Sequence, residues 1–372
     1  MQVFADLHIH SRFSIATSKH MTPEALLSAC RQKGIRVLGS GDALHQGWRT
    51  CWEDKASGGS DILVVPSAEV EDSSRIHHLI LMNCFEDFAA LQEDLTPYSR
   101  NIASSGRPHV RMGGEGIAQF VHAHDGLIGP AHAFTPWTSL YAMYENVGGC
   151  YGMEQIDFLE LGLSADSSYG SAIPDLSGVT FLSNSDAHSP DPVKLGREFN
   201  QIRIHDLRTG DVLDAVKSGD IEMNVGFFPE EGKYNRTACV RCYHHYTPEE
   251  ASSLKWRCPL DGGRIKKGVR DRAGELSTGE PVSRPPYLHM IPLGELIQKL
   301  LGTSSPGTKK CRELYHQCIS HFGDEITVLI SAPIQELAGI NPGLANAVNA
   351  LRNGRVVLTP GGGGRYGSFS FS

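Results

Sequence analysis

The feature that most constrains the fold is a series of short apolar segments that each end in a His, Asp or Glu. Seven such segments precede residue 190, and helix-like stretches separate most of them. Alternating strands and helices predict a parallel sheet, whose buried strands are near-continuous apolar runs. A single His at a strand end is usually structural, but the recurrence of these residue types favours a shared site. We therefore expect an α/β fold whose strands meet at one polar rim, as in a βα barrel.

The first and last of these segments show the pattern most clearly. His8 and His10 follow the first strand, and Asp186 and His188 follow the last. Residues two apart on an extended segment share a face, so each pair places both side chains at the same rim. Imidazole and carboxylate ligands together suit zinc, manganese or iron(II) better than magnesium alone. The pairs predict a polynuclear site in which metals activate a water for attack on a phosphoryl group.

The segment ends resemble those of the polymerase-and-histidinol-phosphatase (PHP) superfamily. The resemblance implies a distorted seven-stranded βα barrel that hydrolyses phosphoesters at a trinuclear metal centre, with Asp186 as a catalytic residue. His78 is an alternative to His77, and His45 accompanies Asp42 in the second motif. The matching residues, which the resemblance implies as metal ligands, are His8, His10, Asp42, Glu69, His77, His132, Asp186 and His188.

Longer phrases are similar to the endonuclease Q family of DNA repair nucleases. The similarity extends through nearly the whole chain and is strongest at residues 10–14, 39–45, 159–166, 184–189 and 195–200. It implies an enzyme that recognises hypoxanthine, uracil, xanthine or an abasic site and nicks the strand on the 5′ side of the lesion. The implied cofactors are two or three divalent metals (zinc, manganese or magnesium). The implied partner is double-stranded or single-stranded DNA with deaminated bases, and a sliding clamp is left open as a further partner.

Charge is distributed unevenly between the two halves of the chain. Residues 1–230 have a net charge of −14 and residues 231–372 have +6, so the whole-chain value of −8 conceals a basic half. An acidic half joined to a basic half indicates that one part of the chain binds a polyanion. The split therefore removes the objection that an acidic protein is unsuited to nucleic acid.

The basic half contains a pair of cysteine knuckles. Cys239 and Cys242 are followed after fifteen residues by Cys258, and Asp261 stands where a zinc ribbon and the endonuclease Q pattern have a fourth Cys. This spacing predicts a zinc-ribbon-like domain with a structural zinc. Asp261 can ligate zinc, and His244 or His245 are alternatives. A metal-free hairpin held by its own packing is also compatible with the spacing.

The predicted DNA contacts lie in both halves. Ser164 and Asp166 follow the sixth strand, where sequence position suits them to recognise the lesion base. Arg197 is a candidate phosphate contact. Lys266 and Lys267 belong to a stretch, residues 233–272, with ten basic and four acidic residues. A basic surface with interspersed aromatic residues suits a nucleic-acid backbone, but a solvated basic face has the same composition.

These patterns predict that the chain is divided into four parts. Residues 1–225 form the catalytic barrel, 226–237 a linker, 238–283 a small basic domain with the zinc knuckle, and 284–372 a mixed helical and hairpin segment that binds DNA. No apolar run approaches the roughly 18 residues of a membrane span, and no signal peptide is expected. We expect a cytoplasmic, nucleoid-associated protein whose nine Cys are reduced thiols or metal ligands.

Two other functions remain compatible with the residues alone. A PHP-type phosphatase acting on a small phosphomonoester, such as histidinol phosphate, needs only the barrel and leaves residues 231–372 unexplained. A non-catalytic DNA-binding module requires a broken ligand set, whereas nearly every ligand position of this chain is filled.

Overall fold

The computed structural model describes residues 1–56 and 61–371. Strands and helices alternate through the first two thirds of the chain, and helices dominate the last third before a final hairpin. The strands are β1 (Gln2–Asp6), β2 (Val37–Gly39), β3 (Leu63–Val65), β4 (Ser67–Glu71), β5 (His77–Leu81), β6 (Leu127–Pro130), β7 (Phe158–Glu160), β8 (Thr180–Leu182), β9 (Phe199–Arg203), β10 (Ile221–Gly226), β11 (Ala238–Cys239), β12 (Ile265–Lys266), β13 (Tyr287–His289), β14 (Val356–Thr359) and β15 (Ser368–Phe371).

The helices alternate with the strands up to β10 and then follow one another near the C-terminal end. They are α1 (Pro23–Lys33), α2 (Gln46–Ala56), α3 (Phe85–Leu95), α4 (Gly114–Ala123), α5 (Leu140–Met143), α6 (Val147–Tyr151), α7 (Ser167–Gly170), α8 (Thr209–Ser218), α9 (Pro248–Ser253), α10 (Val269–Leu276), α11 (Leu293–Leu301), α12 (Lys309–Phe322), α13 (Glu325–Ile330), α14 (Ile334–Ile340) and α15 (Pro342–Arg352). Short 3-10 turns occur at Thr96–Tyr98, Pro174–Leu176 and Pro229–Glu231.

The strands form a mixed α/β fold, as the apolar segments predicted. A six-stranded sheet has the order β13-β10-β9-β1-β2-β3, β4-β5-β6 form a second sheet, and β7-β8 form a third. β1, β2 and β3 are parallel, whereas β9 is antiparallel to β1 and the three strands of the second sheet are antiparallel. Across residues 1–56 and 61–371, these pairings do not close into a single seven-stranded barrel.

The sequence around α1 explains why that helix begins and ends where it does. The Thr22 hydroxyl accepts a hydrogen bond from the Ala25 backbone N–H, and Pro23 occupies the first helical position. Gly34 ends the helix at φ +98, a left-handed conformation that favours glycine. These local signals place the chain at the start of β2, whose register aligns Val37 with Ala5 of β1.

The first and last thirds of the chain share one hydrophobic core. Ile9, Ile35 and Phe199 pack in the same buried cluster as Leu296 of α11 and Val348 of α15. The division at residues 225, 237 and 283 stays a prediction, but the helical segment is not separate from the strands that hold the first polar residues.

A buried ion pair joins α1 to α13. The Lys33 ammonium donates to a Glu325 carboxylate oxygen at 2.7 Å, and both side chains are almost completely buried. The other Glu325 oxygen accepts from the Tyr315 hydroxyl at 2.9 Å. Loss of one partner of such a pair leaves an uncompensated buried charge, which costs about 3–5 kcal/mol. The pair therefore favours one arrangement of the helices against the sheet.

None of the helices in the described part of the chain is long and apolar enough to cross a membrane.

Candidate metal centre and its surroundings

The residues that follow β1 and β8 lie side by side. Ile9 and Ala187 form a parallel bridge, and the His10 backbone N–H donates to the Ala187 carbonyl oxygen at 2.9 Å. This bridge brings the two predicted ligand pairs, His8 with His10 and Asp186 with His188, to one rim. The second sheet supplies Glu69 from β4 and His77 from β5 to the same place, and His132 follows β6.

Seven of the eight predicted ligands form three overlapping groups. Within each group the ligand atoms lie within 4.8 Å of one another. Glu69 and His10 each belong to two groups, so the groups are contiguous and suit a polynuclear centre. The groups are His8, His10 and Glu69; His10, Asp186 and His188; and Glu69, His77 and His132.

Glu69 is the carboxylate at the middle of these groups. Its Oε1 is 2.9 Å from His77 Nδ1 and 3.0 Å from His132 Nε2, and its Oε2 is 3.3 Å from His10 Nε2. His10 Nε2 is also 3.1 Å from Asp186 Oδ1. A carboxylate between imidazoles at these distances is suited to bridge two cations.

Several buried atoms in the groups have no hydrogen-bond partner. His8 Nε2, His10 Nε2 and Asp186 Oδ1 are all buried without one, although they point toward one another. Buried polar atoms are rarely left unsatisfied in native proteins. Divalent cations would satisfy all three atoms, so the residues present fit a metal centre.

The backbone at this rim adopts uncommon conformations. Asp42, His132 and Asp186 have φ values of +49, +34 and +48, in the left-handed region that residues other than glycine rarely adopt. Such conformations cost of order 1–3 kcal/mol each and occur where the surrounding structure imposes them, often at functional sites. Two of the three residues belong to the ligand groups.

The electrostatics of the groups favour anionic carboxylates. Burial alone would raise the pKa of Glu69, but the His77 charge, the nearby His10 imidazole and the hydrogen bond with His132 hold that pKa well below its usual range. Burial lowers the pKa of His8, yet the carboxylates of Glu160, Glu69 and Asp186 together outweigh burial and raise that pKa to about 9. Protons and metals therefore compete for the same imidazoles.

Asp42 does not join the three groups. Its Oδ1 accepts a hydrogen bond from His10 Nδ1 at 3.0 Å, and its Oδ2 accepts from the Ser11 backbone N–H at 2.7 Å and the Ser14 hydroxyl at 2.8 Å. The structure thus places this predicted ligand behind His10, where it fixes the orientation of the ring and leaves Nε2 toward the centre.

The two other histidines considered at this rim lie outside the three ligand groups. His78 follows His77 on β5 and faces the opposite side, where its Nδ1 lies 2.6 Å from the Tyr151 hydroxyl oxygen. His45 stacks on Phe13 with ring centroids 3.9 Å apart. Consecutive side chains of a strand alternate between faces, which explains why only one of the adjacent pair on β5 reaches the centre.

Two residues at the centre were not among the predicted site residues, although Glu160 ends one of the seven apolar segments. Glu160 at the end of β7 is 2.7 Å from His8 Nδ1, and both side chains are buried. Its position at the end of an apolar segment was a usable signal. Arg107 donates from Nη1 to Glu69 Oε2 at 2.9 Å, but it lies in an irregular segment that has no motif.

The four predicted knuckle ligands come together. Cys239, Cys242, Cys258 and Asp261 each offer one ligand atom within 4.8 Å of the others. Cys242 and Cys258 have sulfurs 3.6 Å apart, and Asp261 Oδ1 is 3.3 Å from the Cys239 sulfur. The alternatives His244 and His245 are outside this group, so the geometry favours Asp261 as the fourth ligand.

The predicted lesion-contacting residues have structural partners. Asp166 Oδ1 caps α7 by accepting from the Ser168 backbone N–H, and its Oδ2 is 3.0 Å from His289 Nε2. Ser164 packs so closely against Gly232 that a Cβ at residue 232 would lie 2.0 Å from its hydroxyl oxygen. The segment after β7 is therefore held by the second half of the chain.

The three predicted phosphate contacts differ in the partners that their charged groups already have. Arg197 donates from Nε to the Ser185 carbonyl oxygen at 2.9 Å, next to Asp186. Lys267 pairs with Glu275 at 2.6 Å, which compensates its charge. Lys266 has its ammonium 3.6 Å from the ring centroid of Trp137.

Trp137 is a surface residue that the sequence analysis missed. It lies in the segment that follows β6 and also contains His132. Its side chain is 46% exposed, and its backbone φ is +118. Trp137 contacts two residues of the basic half. The Lys266 ammonium lies over its ring, and the Tyr234 ring centroid is 6.2 Å from that of Trp137. The dipeptide Pro136-Trp137, which follows a predicted ligand, was the only available signal.

Glu160→Ala tests the importance of the carboxylate behind His8. The substitution removes the acceptor that orients His8, so we expect metal affinity to fall by about 10- to 100-fold. Zinc retained per chain is measured after dialysis against graded chelator concentrations. Glu154→Ala is the matched control, because it removes a similar contact, at 2.8 Å from His122 Nδ1, outside the three groups. Equal zinc retention by the two variants would contradict the assigned role.

Comparisons with known proteins agree with these features. The family described as the MJ0043 C-terminal domain matches residues 292–355. The chain is 42% identical over 283 residues to the uncharacterized protein MJ0043 of Methanocaldococcus jannaschii, an alignment that covers 71% of the chain but only 36% of that relative. It is 32% identical over 400 residues to the uncharacterized protein YqxK of Bacillus subtilis, with 98% of each chain covered.

Two solved structures are similar over the whole chain. One is the lesion-specific endonuclease PfuEndoQ from Pyrococcus furiosus, with a TM-score of 0.95, 42% identity, and coverage of 100% of this chain and 96% of that one. The other is endonuclease Q in complex with a 27-mer duplex that has an abasic lesion at the active site, with a TM-score of 0.95, 42% identity, and coverage of 100% and 97%. By identity and coverage, this chain belongs to the endonuclease Q family.

Proposed function

We propose that this chain is a metal-dependent, lesion-specific DNA endonuclease that hydrolyses a phosphodiester bond. The observation that supports this most strongly is the match, over the whole chain, to endonuclease Q bound to a duplex with an abasic lesion at its active site. The three contiguous ligand groups supply the chemistry that such an enzyme requires. The proposal includes a distorted PHP-type barrel as the form of residues 1–225.

The proposed substrates are duplex or single-stranded DNA that contains hypoxanthine, uracil, xanthine or an abasic site, with cleavage on the 5′ side of the lesion. Resemblance to the family supports these finer points. Flipping a damaged nucleotide out of the duplex costs least where base pairing is already weakened, which favours such lesions over normal bases. A sliding clamp has no support from the comparisons and is not part of the proposal.

The proposed centre holds two or three divalent metals. Divalent metals in such a donor set lower the pKa of water and polarise phosphoryl oxygens. Glu69 belongs to two of the groups, and His8, His10, His77, His132 and His188 would supply neutral nitrogen ligands to the metals. Imidazole-rich sites favour zinc or manganese over magnesium. Cys239, Cys242, Cys258 and Asp261 are proposed to hold a structural zinc.

Asp186 is proposed as the catalytic carboxylate. Its Oδ1 lies 3.1 Å from His10 Nε2 and 3.9 Å from His8 Nε2, and the side chain is 30% exposed, so it faces both the metal groups and the substrate side. Burial opposes ionisation of Asp186, but the close imidazole of His10 and the charges of His8 and His10 hold its pKa well below the usual range. It is therefore anionic and able to orient a water at neutral pH.

Trp137 and Lys266 form a proposed DNA contact beside the centre. The exposed indole offers a face for base stacking, and the lysine over it offers a cation for a phosphate. Lys266 lies within the stretch 233–272, in which basic residues exceed acidic ones, so the pair joins the metal rim to the basic half.

Asp186→Ala tests the catalytic assignment. We expect the rate of nicking of an inosine-containing duplex to fall by at least about 100-fold, because a ligand and a water-orienting group are both lost. Binding to the same duplex, measured by fluorescence anisotropy, is expected to change little. Asp94→Ala, which removes an exposed carboxylate 2.7 Å from His124, is the control. Full nicking by purified Asp186→Ala would exclude that residue as catalytic.

Trp137→Ala tests the stacking contact. A base stacked on an aromatic side chain contributes about 1–3 kcal/mol, so we expect binding of a lesion duplex to weaken by about 5- to 150-fold. Trp137→Phe keeps a ring and should retain most of the affinity. The control is Tyr98→Ala, because Tyr98 is also an exposed aromatic residue but contacts Phe120. Affinities are measured by anisotropy at fixed salt, and equal affinity of Trp137→Ala and wild type would contradict the contact.

A further inference from the structure

A second group of metal-ligating side chains lies on the other face of β5 from the candidate centre. Asp72, His78 and Cys150 each place one ligand atom within 4.8 Å of the other two. Their exposures are 1%, 0% and 7%, so the group is closed to solvent. We propose that Asp72, His78 and Cys150 form a structural zinc site. The proposal does not depend on the nicking activity.

The remaining polar atoms of this group are already satisfied. Tyr151 places its hydroxyl oxygen 2.6 Å from His78 Nδ1. Asp72 Oδ1 accepts hydrogen bonds from the Ser74 and Ile76 backbone N–H groups, both at 2.8 Å. Each side chain is therefore fixed in orientation, and one atom of each is left over. A metal-ligating His usually has its second ring nitrogen held in this way.

The two left-over atoms lack a partner. His78 Nε2 and Asp72 Oδ2 are buried and make no hydrogen bond of acceptable geometry within the described residues. They lie 3.3 Å apart. Two ligands bound to tetrahedral zinc at about 2.0–2.1 Å are separated by about 3.3–3.4 Å. The two atoms already stand at the separation that a shared zinc ion requires.

The sulfur of Cys150 completes a donor set that zinc prefers. Cys, His and Asp are the ordinary zinc ligands, and a fourth position can be taken by water. Burial, and then the Asp72 carboxylate, raise the pKa of the Cys150 thiol to about 12. The thiol is thus protonated at neutral pH unless a cation compensates the thiolate. Zinc would supply that compensation.

The backbone around the group is shaped to leave it room. A Cβ at residue 114 would lie 2.7 Å from the Cys150 sulfur and 2.9 Å from His78 Cε1, so only glycine fits there. Gly114 begins the ten-residue helix α4, whose N-terminal dipole also favours a thiolate.

A zinc ion here would tie three segments together. Asp72 follows β4, His78 belongs to β5, and Cys150 belongs to α6. Because His77 and His78 are consecutive on β5, fixing His78 on one face also fixes His77 on the other, where it contacts Glu69. The second site is thus placed to hold the rim in position without touching the substrate.

Cobalt spectroscopy tests the site directly in the full chain. Cys239→Ser, Cys242→Ser and Cys258→Ser are combined to remove the knuckle thiolates, and the protein is loaded with Co²⁺ in place of zinc. We expect a thiolate-to-cobalt absorption band equivalent to one sulfur per chain. Cys150→Ala on this background should remove the band, whereas Cys30→Ala, which alters another buried Cys outside every group, should keep it.

Metal analysis gives an independent readout without the knuckle substitutions. Zinc per chain is expected to fall by one equivalent in Cys150→Ala and in Asp72→Asn, and to stay at the wild-type value in Cys30→Ala. Absence of the cobalt band in the knuckle-free protein would overturn the proposal, even if Cys150→Ala fails to fold. Unchanged zinc content in folded Cys150→Ala would overturn it as well, and would identify the group as hydrogen-bonded only.

Discussion

The structure around the rim depends on the compensation of one fully buried carboxylate. Glu69 is 1% exposed, and an isolated ion in such a place would be very costly. His77, His132 and His10 surround its two oxygens, and Arg107 donates to one of them. These partners come from separate segments of the first 132 residues. The buried charge of Glu69 is therefore compensated only when these segments pack together. The same packing brings the ligand atoms of the metal groups close to one another.

The same constraint explains the unusual charge distribution. Many carboxylates of the acidic half do not face solvent, because Asp6, Asp42, Glu69 and Glu160 are all buried. Their charge is compensated by histidines, backbone N–H groups and the proposed metals. The −14 of the first half therefore overstates the negative field at the surface, and the +6 of the second half lies in the part that would meet DNA.

The strand-end pattern predicted most of the residues that the structure brings together at the rim. His8 and Asp186 lie together because the segments that follow β1 and β8 pair in parallel at Ile9 and Ala187. Glu69 reaches the same rim from within the antiparallel strand β4. Spacing does not say which carboxylate faces a metal and which stands behind a ligand. Asp42 and Glu160 both end apolar segments, and only their hydrogen bonds to ring Nδ1 atoms show that they orient His10 and His8.

Other features depend on contacts between distant segments and left no pattern in the sequence. Arg107 reaches Glu69 from an irregular segment, and Trp137 is held by Lys266, more than a hundred residues away. The alternation of strands and helices predicted the α/β fold. It did not predict the antiparallel pairing of β4, β5 and β6, or the common core of the first strands and the last helices.

The measurement that tests the central claim most directly compares labelled duplexes that differ at one position. The protein, freed of metal and resupplied with manganese or magnesium, is incubated with duplexes that contain inosine, uracil, an abasic site or no lesion, and in parallel with a small phosphomonoester. The account predicts a single nick in lesion duplexes, no nick in the undamaged duplex, and no cutting without metal. Turnover of the phosphomonoester with every lesion duplex left intact would contradict it and favour a PHP-type phosphatase.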